Sequence, residues 1–394
     1  MELSFGKGAL VLLLIAAVVA MLTRRLRLPY SVGLVTAGMV LALLPFAPRI
    51  SFTKELIFAG LLPPLIFEAA FFLRWNELRR DLVMILVLAT AGVLLSAGIT
   101  AAGMHFIAHW QWISAAIFGT LIAATDPVSV IATFREAGAH GRLRLLVESE
   151  SLFNDGTAAV ALGVAVTLAS GERFSALGMT NLLLITVGGG ILCGALIGGG
   201  LLFLAGRTDD YLVELTVTTV AAYGSFLLAD SFHMSGVFAT LTAGLMMGNF
   251  REFGSFSDRA QGAVPPFWEY AAFAANSLVF LLIGMNEANR RITVIWGAAV
   301  VAVICVLLGR AAAVYPICSL FSRSKYRVTL RHQHAMFWGG LRGALALALA
   351  LGLPEEVPAR AEIITVSFAV VAFSVFVQGL TMTPLLRKIG EIAK

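Results

Sequence analysis

Charge is what this sequence has least of. Acidic and basic residues make up 13% of the 394 positions, where an ordinary soluble domain carries about 25%. Hydrophobic residues reach 59%, and the mean hydropathy is +0.90. So little polar surface cannot cover a soluble globule of this length, which leaves a polytopic, all-α membrane protein. Cysteine is nearly missing too. Cys193, Cys305 and Cys318 lie in apolar stretches without metal-ligand spacing, so neither a disulfide framework nor a zinc module is expected. The net charge of +5 comes from 28 basic residues scattered over short loops. They form no continuous basic stripe, and no nucleic-acid partner is expected.

What the chain has in quantity is long apolar runs. A helix needs about 20 such residues to cross roughly 30 Å of hydrocarbon. Segments of that kind fall near 8–23, 30–47, 53–72, 81–107, 112–134, 148–170, 180–205, 211–231, 234–250, 265–286, 292–321, 333–353 and 361–385, thirteen in all. Lys7 alone precedes the first of them and Arg24, Arg25 and Arg27 follow it. That is the reverse of a secretory leader, so the segment is read as a retained first helix. Loops after odd-numbered segments hold 19 lysines and arginines and the other side holds seven. The excess of positive charge on the cytoplasmic side puts the N-terminus outside and the C-terminus in the cytoplasm.

Ionisable residues inside such spans are rare and costly. Here they are Glu68, Asp126, Glu148, Glu150, Asp155, Glu214, Asp230, Glu269, Arg310 and Arg342. Glu148, Glu214, Asp230 and Glu269 fall near span ends, where the interface or water can hold them. Asp126, Asp155, Arg310 and Arg342 sit deeper and need charge pairing or a function. In "ATDPVSV", Pro127 removes an amide hydrogen and breaks or kinks the fifth span. Freed carbonyls beside the Asp126 carboxylate would suit a hard cation; a simple kink with Asp126 as a helix cap is the other reading. "FWGGLRGALALALALGLP" places Gly339, Gly340 and Gly343 around Arg342 in the twelfth span. Those glycines weaken the helix there or serve close packing.

The fifth and twelfth spans occupy matching places if residues 8–170 and 211–385 form two repeats joined by a linker helix at 180–205. Three-plus-three spans on each side of an odd linker make those repeats inverted, and paired interruptions point to a transporter with its site at the midplane. In "SESLFNDGTAAV", helical spacing sets Ser151 and Asp155 on one face and Glu150 and Asn154 on the next. Acids and serines also favour helix starts, and Glu148 and Ser149 are expected to begin this one.

"LLPPLIFEAAF", "ATDPVSV", "ESLFNDGTA", "FWEYAAFAANSLVFLLIG", "GRAAAVYP" and "GGLRGALALALAL", in this order, resemble the NhaP-type sodium/proton antiporters and their eukaryotic exchanger relatives. The resemblance covers nearly the whole chain. It implies thirteen transmembrane helices in two inverted repeats, interrupted helices 5 and 12 crossing at an ion site, a mobile ion-carrying core and a dimerisation part, hence a homodimer. It implies a sodium ion held by the Thr125 backbone carbonyl, Asp126, Ser151 and Asp155, with Glu68 joining through water and Asn154 ordering the site. Glu150 would pair with Arg310, and Glu68 with Arg342. The Asn154–Asp155 pair implies one-for-one exchange without net charge movement, with sodium and protons as transported substrates and no cofactor.

Such a site explains coupling in physical terms. A buried carboxylate ionises reluctantly until a cation approaches, so proton and cation compete for one place. Potassium would suit the same oxygen set, and the residues do not separate the two ions. An intramembrane hydrolase with Ser151 as nucleophile lacks a base, because His332 and His334 fall at a cytoplasmic helix start and His105 and His109 near the outer surface. No enzymatic activity is expected, and no feature suggests a passive channel.

Overall fold

The computed structural model describes residues 2–26, 28–44, 56–126, 134, 141–169, 171, 176–250, 256–287 and 296–392. These residues form helices with no strand among them. In chain order they are α1 (Glu2–Leu26), α2 (Tyr30–Ala42), α3 (Leu56–Phe72), α4 (Trp75–Phe106), α5 (Trp112–Ala123), α6 (Arg142–Ala169) and α7 (Thr180–Ala205). There follow α8 (Tyr211–Ser231), α9 (Gly236–Phe250), α10 (Asp258–Glu287), α11 (Trp296–Leu320), α12 (Leu330–Trp338), α13 (Ala344–Leu351) and α14 (Arg360–Ile389). Eight helices among the described residues are long and apolar enough to cross a membrane, and shorter apolar helices accompany them. The all-helical, polytopic character expected from composition is the architecture found.

One boundary departs from expectation for an identifiable reason. α6 begins at Arg142, so Glu148 and Ser149 lie inside the helix and do not start it. Gly141, in the left-handed region at φ +80°, precedes the first turn. That turn is held by buried Leu143, Leu146 and Val147 and by an Arg144–Glu148 ion pair four residues apart. Hydropathy alone hides a polar turn of this kind, because its charges cancel on one face while its leucines pack on the other.

The chain divides into two compact units. The first holds Met1–Lys54, Val83–Ser170 and Asn276–Lys394; the second holds Glu55–Leu82 and Gly171–Ala275. Each takes segments from both halves of the sequence, so the division cuts across the repeats expected at 8–170 and 211–385. Within the second unit, Trp268 is the anchor. Its ring lies 4.4 Å from that of Phe67, and its indole N–H donates to the Thr218 hydroxyl at 3.0 Å. Glu214, expected near the interface or water, is instead fully buried. It accepts from the Ser257 amide at 2.8 Å and the Ser257 hydroxyl at 2.6 Å, and so anchors the start of α10. Asp230 and Glu269 are exposed.

Small residues set the helix spacing in both units. In the second, Gly190, Gly194 and Gly198 on α7 lie against Ser235, just before α9, and Ala239 and Ala243 on it. In the first, Gly119 of α5 lies against Ala97 and Ala101 of α4, and Gly309 of α11 against Ser96 of α4. Close backbone approach replaces the hydrophobic drive that lipid does not supply. Gly194→Val is therefore expected to cost about 1–3 kcal/mol by overpacking against the Ala239 carbonyl. Gly200 on the same helix faces open space, and Gly200→Ala should match or exceed the parent. Thermal unfolding of the detergent-solubilised protein checks both, and equal losses in the two variants would refute the packing account.

Candidate ion-binding site

Two helices stop inside the first unit. α5 ends at Ala123, and Ala124 turns to φ −56°, ψ 135°. α12 ends at Trp338, and α13 begins only at Ala344. Pro127, the expected cause of the first stop, lies outside the described residues with the rest of 127–133. Each stop orphans backbone groups that lipid cannot satisfy.

The two stops satisfy one another. The Asp126 amide donates to the Leu341 carbonyl at 2.7 Å. The Arg342 guanidinium, 2% exposed, donates through Nη1 to the Ala124 carbonyl at 3.1 Å and also to that of Ala123. A cation thus caps the negative end of α5. Two glycines make room for the approach. A side chain at Gly343 would fall on the Asp126 carboxylate, and one at Gly340 would lie 2.6 Å from Arg310 Nε.

α6 supplies the facing wall. Glu150 is fully buried and accepts from Arg310 of α11 through both oxygens, at 2.6 and 2.7 Å. The same guanidinium reaches the Met336 carbonyl in the last turn of α12 at 3.0 Å. Asn154 Nδ2 donates to Glu150 Oε1 at 3.4 Å and to Thr125 Oγ1 at 3.2 Å. The Thr125 hydroxyl passes the chain on to Ser151 Oγ at 2.9 Å. Asp126 and Asp155 are 5% and 3% exposed, and Asp155 lies within electrostatic reach of Asp126, Glu150 and Arg342.

Two oxygens remain over, together with the Nε atoms of Arg310 and Arg342. Asp155 Oδ1 and Asn154 Oδ1 are buried and accept no hydrogen bond among the described residues. Buried acceptors left this way cost free energy unless something positive meets them. The fixed charges agree. Glu150, Asp126 and Asp155, if ionised, carry three negative charges against two positive ones on Arg310 and Arg342, leaving one negative charge over. Chemically, the pocket is an oxygen cluster short of one positive charge.

The structure thus gathers Thr125, Asp126, Glu150, Ser151, Asn154, Asp155, Arg310 and Arg342 in one unit. Glu68 lies half-buried on α3 in the second unit. The described bonds of the Arg342 guanidinium go to backbone carbonyls. Sequence reasoning missed Ser374 and Gln378 of α14, both buried and bonded around the second stop. Their signal was faint: two polar residues in the apolar stretch "FSVFVQGL".

Residues 10–388 match the family model described as sodium/hydrogen exchanger, transmembrane. The chain belongs to that family. It is similar to the Na(+)/H(+) antiporter ApNhaP of Aphanothece halophytica, with 38% identity over 368 residues, covering 93% of this chain and 70% of the relative. It is also similar to the Na(+)/H(+) antiporter NhaH of Halobacillus aidingensis, 32% identical over 97% of each chain. In fold it is similar to the sodium proton antiporter MjNhaP1 from Methanocaldococcus jannaschii, with a TM-score of 0.77 at 22% identity over 99% of this chain and 100% of that one.

For this exchanger-family chain, the Glu150–Arg310 pair makes a definite stability prediction. Arg310→Leu leaves Glu150 buried and uncompensated, which should cost about 3–5 kcal/mol. Adding Glu150→Leu should recover most of that loss, since an apolar pair replaces an ionic one. Thermal unfolding of the three variants in detergent reads the coupling, and additive losses would refute it.

Proposed function

We propose that this chain is a sodium/proton antiporter of the plasma membrane, exchanging one sodium ion for one proton by alternating access. The observation that carries the reading is the pair of unbonded oxygens on Asp155 and Asn154 in a site short of one positive charge. Oxygen donors suit a hard monovalent cation. Either a sodium ion or a proton restores neutrality, and the site holds one of them at a time. The relatives carry the name of Na(+)/H(+) antiporters, which supports sodium as the cation.

Asp126 and Asp155 are the carboxylates that bind, with the Ser151 hydroxyl and the Thr125 carbonyl completing the ligands. Asn154 orders the wall as a donor between Glu150 and Thr125. Its neutrality supports the one-for-one stoichiometry, because an aspartate there would leave the site short of two positive charges. Among the described residues the Ser151 hydroxyl accepts from Thr125, which ties it into the wall of the site. We read α12 and α13 as one interrupted span, which gives thirteen spans in two inverted repeats. The 19-to-seven distribution of basic residues supports an outside N-terminus. The first unit is our candidate for the ion-carrying core and the second for the homodimer contact.

In proteoliposomes with a trapped pH dye, an imposed sodium gradient should drive proton movement, and Asp155→Asn should abolish it while the protein remains folded. Undiminished exchange in that variant would sink the assignment. Potassium in place of sodium tests the choice of cation in the same vesicles. A second expectation concerns charge: a valinomycin-imposed membrane potential should leave the initial rate unchanged, and a rate that follows the potential would exclude one-for-one exchange.

A further inference from the structure

We infer that Ser374 and Gln378 are positioning residues for the exchange reaction, holding the second helix stop so that Arg342 and Asp126 keep their places in the ion site. The inference rests on the exchange reading above. α14 carries one of four π-helical turns among the described residues, at Ser374–Gly379, and the one that adjoins a helix stop of the ion site. Such turns are uncommon, cost backbone geometry, and recur at functional sites because they change which way the following side chains face. Here the turn carries two polar side chains that are almost fully enclosed, Ser374 at 0% and Gln378 at 3% exposure.

Their bonds form a single directed chain. The Ser374 hydroxyl donates to Gln378 Oε1 at 2.6 Å, and Gln378 Nε2 donates to the Trp338 carbonyl at 3.2 Å. The free lone pair of Ser374 Oγ accepts from the Arg342 amide at 2.8 Å. The carbonyl that ends α12 and an amide inside the gap before α13 are therefore both met by one side-chain pair. Lipid offers neither of these backbone groups a partner of its own.

The brace acts on the site through Arg342 and its neighbour. Fixing the Arg342 amide fixes the residue whose guanidinium caps α5 at Ala123 and Ala124. The adjacent Leu341 carbonyl accepts the Asp126 amide. Two hydrogen bonds thus separate Ser374 from a carboxylate-bearing backbone, and Ser374 touches no carboxylate itself. A small displacement there moves ligands without removing any, and misplacement by about 1 Å is enough to cost up to 10²-fold in a positioned reaction.

The test is sodium-driven proton movement in proteoliposomes of the full chain, measured across sodium concentrations for the parent, Ser374→Ala, Gln378→Leu and the double variant. Thermal midpoints and hydrogen exchange of peptides spanning 336–345 are read alongside. Each single variant should raise the sodium KM about tenfold, and the double variant should be no worse than the weaker single, as for residues that act as one unit. Exchange at the Arg342 amide should quicken while the thermal midpoint stays near that of the parent. A KM within about twofold of the parent would overturn the inference. So would a KM that rises only with a general loss of protection and thermal midpoint, since that is a folding defect. A parent chain that moves no protons against sodium, with Arg342 still protected, would overturn the exchange reading and this role with it.

Discussion

The first unit depends on one backbone hydrogen bond, from the Asp126 amide to the Leu341 carbonyl. In water a broken helix is a minor expense, because solvent takes the orphaned groups. In hydrocarbon it is tolerable only where protein takes them. Two breaks facing each other solve the problem jointly: each supplies what the other lacks, and neither is affordable alone. Arg342 extends the arrangement, since its amide is held by one helix while its guanidinium ends another. The glycine at 343 follows from the same approach, because the Asp126 carboxylate occupies the space a side chain would need.

Around this crossing the two guanidinium groups serve different ends. Arg310 is matched by Glu150 in a two-pronged pair that cancels its charge and ties α6, α11 and the end of α12 together. Buried pairs of this sort add little to stability over an apolar core, yet are hard to break once built. Arg342 has carbonyls for partners, so its charge remains available to Asp126 and Asp155. The second unit is held by other means: aromatic packing around Trp268, and glycines that let helices touch.

Much of this was legible in the sequence, and the reason differs from case to case. Scarcity of charge made the membrane setting plain, because no soluble surface can be built from so few polar residues. Arg310 was legible as a charge too deep to stand unpartnered, and the family resemblance implied Glu150 as its partner. The chain from Asn154 through Thr125 to Ser151 was half visible, since helical spacing gives the face on α6 but not what opposes it. The polar first turn of α6 was hidden because Arg144 and Glu148 cancel within the turn. Glu214 read as a span-end residue because its partner, Ser257, stands 43 positions away. Ser374 and Gln378 left only a faint trace for a different reason: beyond their bond to each other they meet backbone groups, which every residue possesses and no letter marks.

The charge count carries a consequence for fidelity. On the proposed mechanism, a site that has released its sodium and bound no proton retains an unbalanced negative charge. Moving that charge through a low-dielectric interior costs several kcal/mol, and about 4 kcal/mol already slows a step roughly a thousandfold. On that mechanism the empty carrier would be kept from returning unladen, and futile dissipation of the sodium gradient would be suppressed without a mechanical gate. Tight coupling in this molecule would then be an electrostatic property of five side chains, set by arithmetic more than by moving parts.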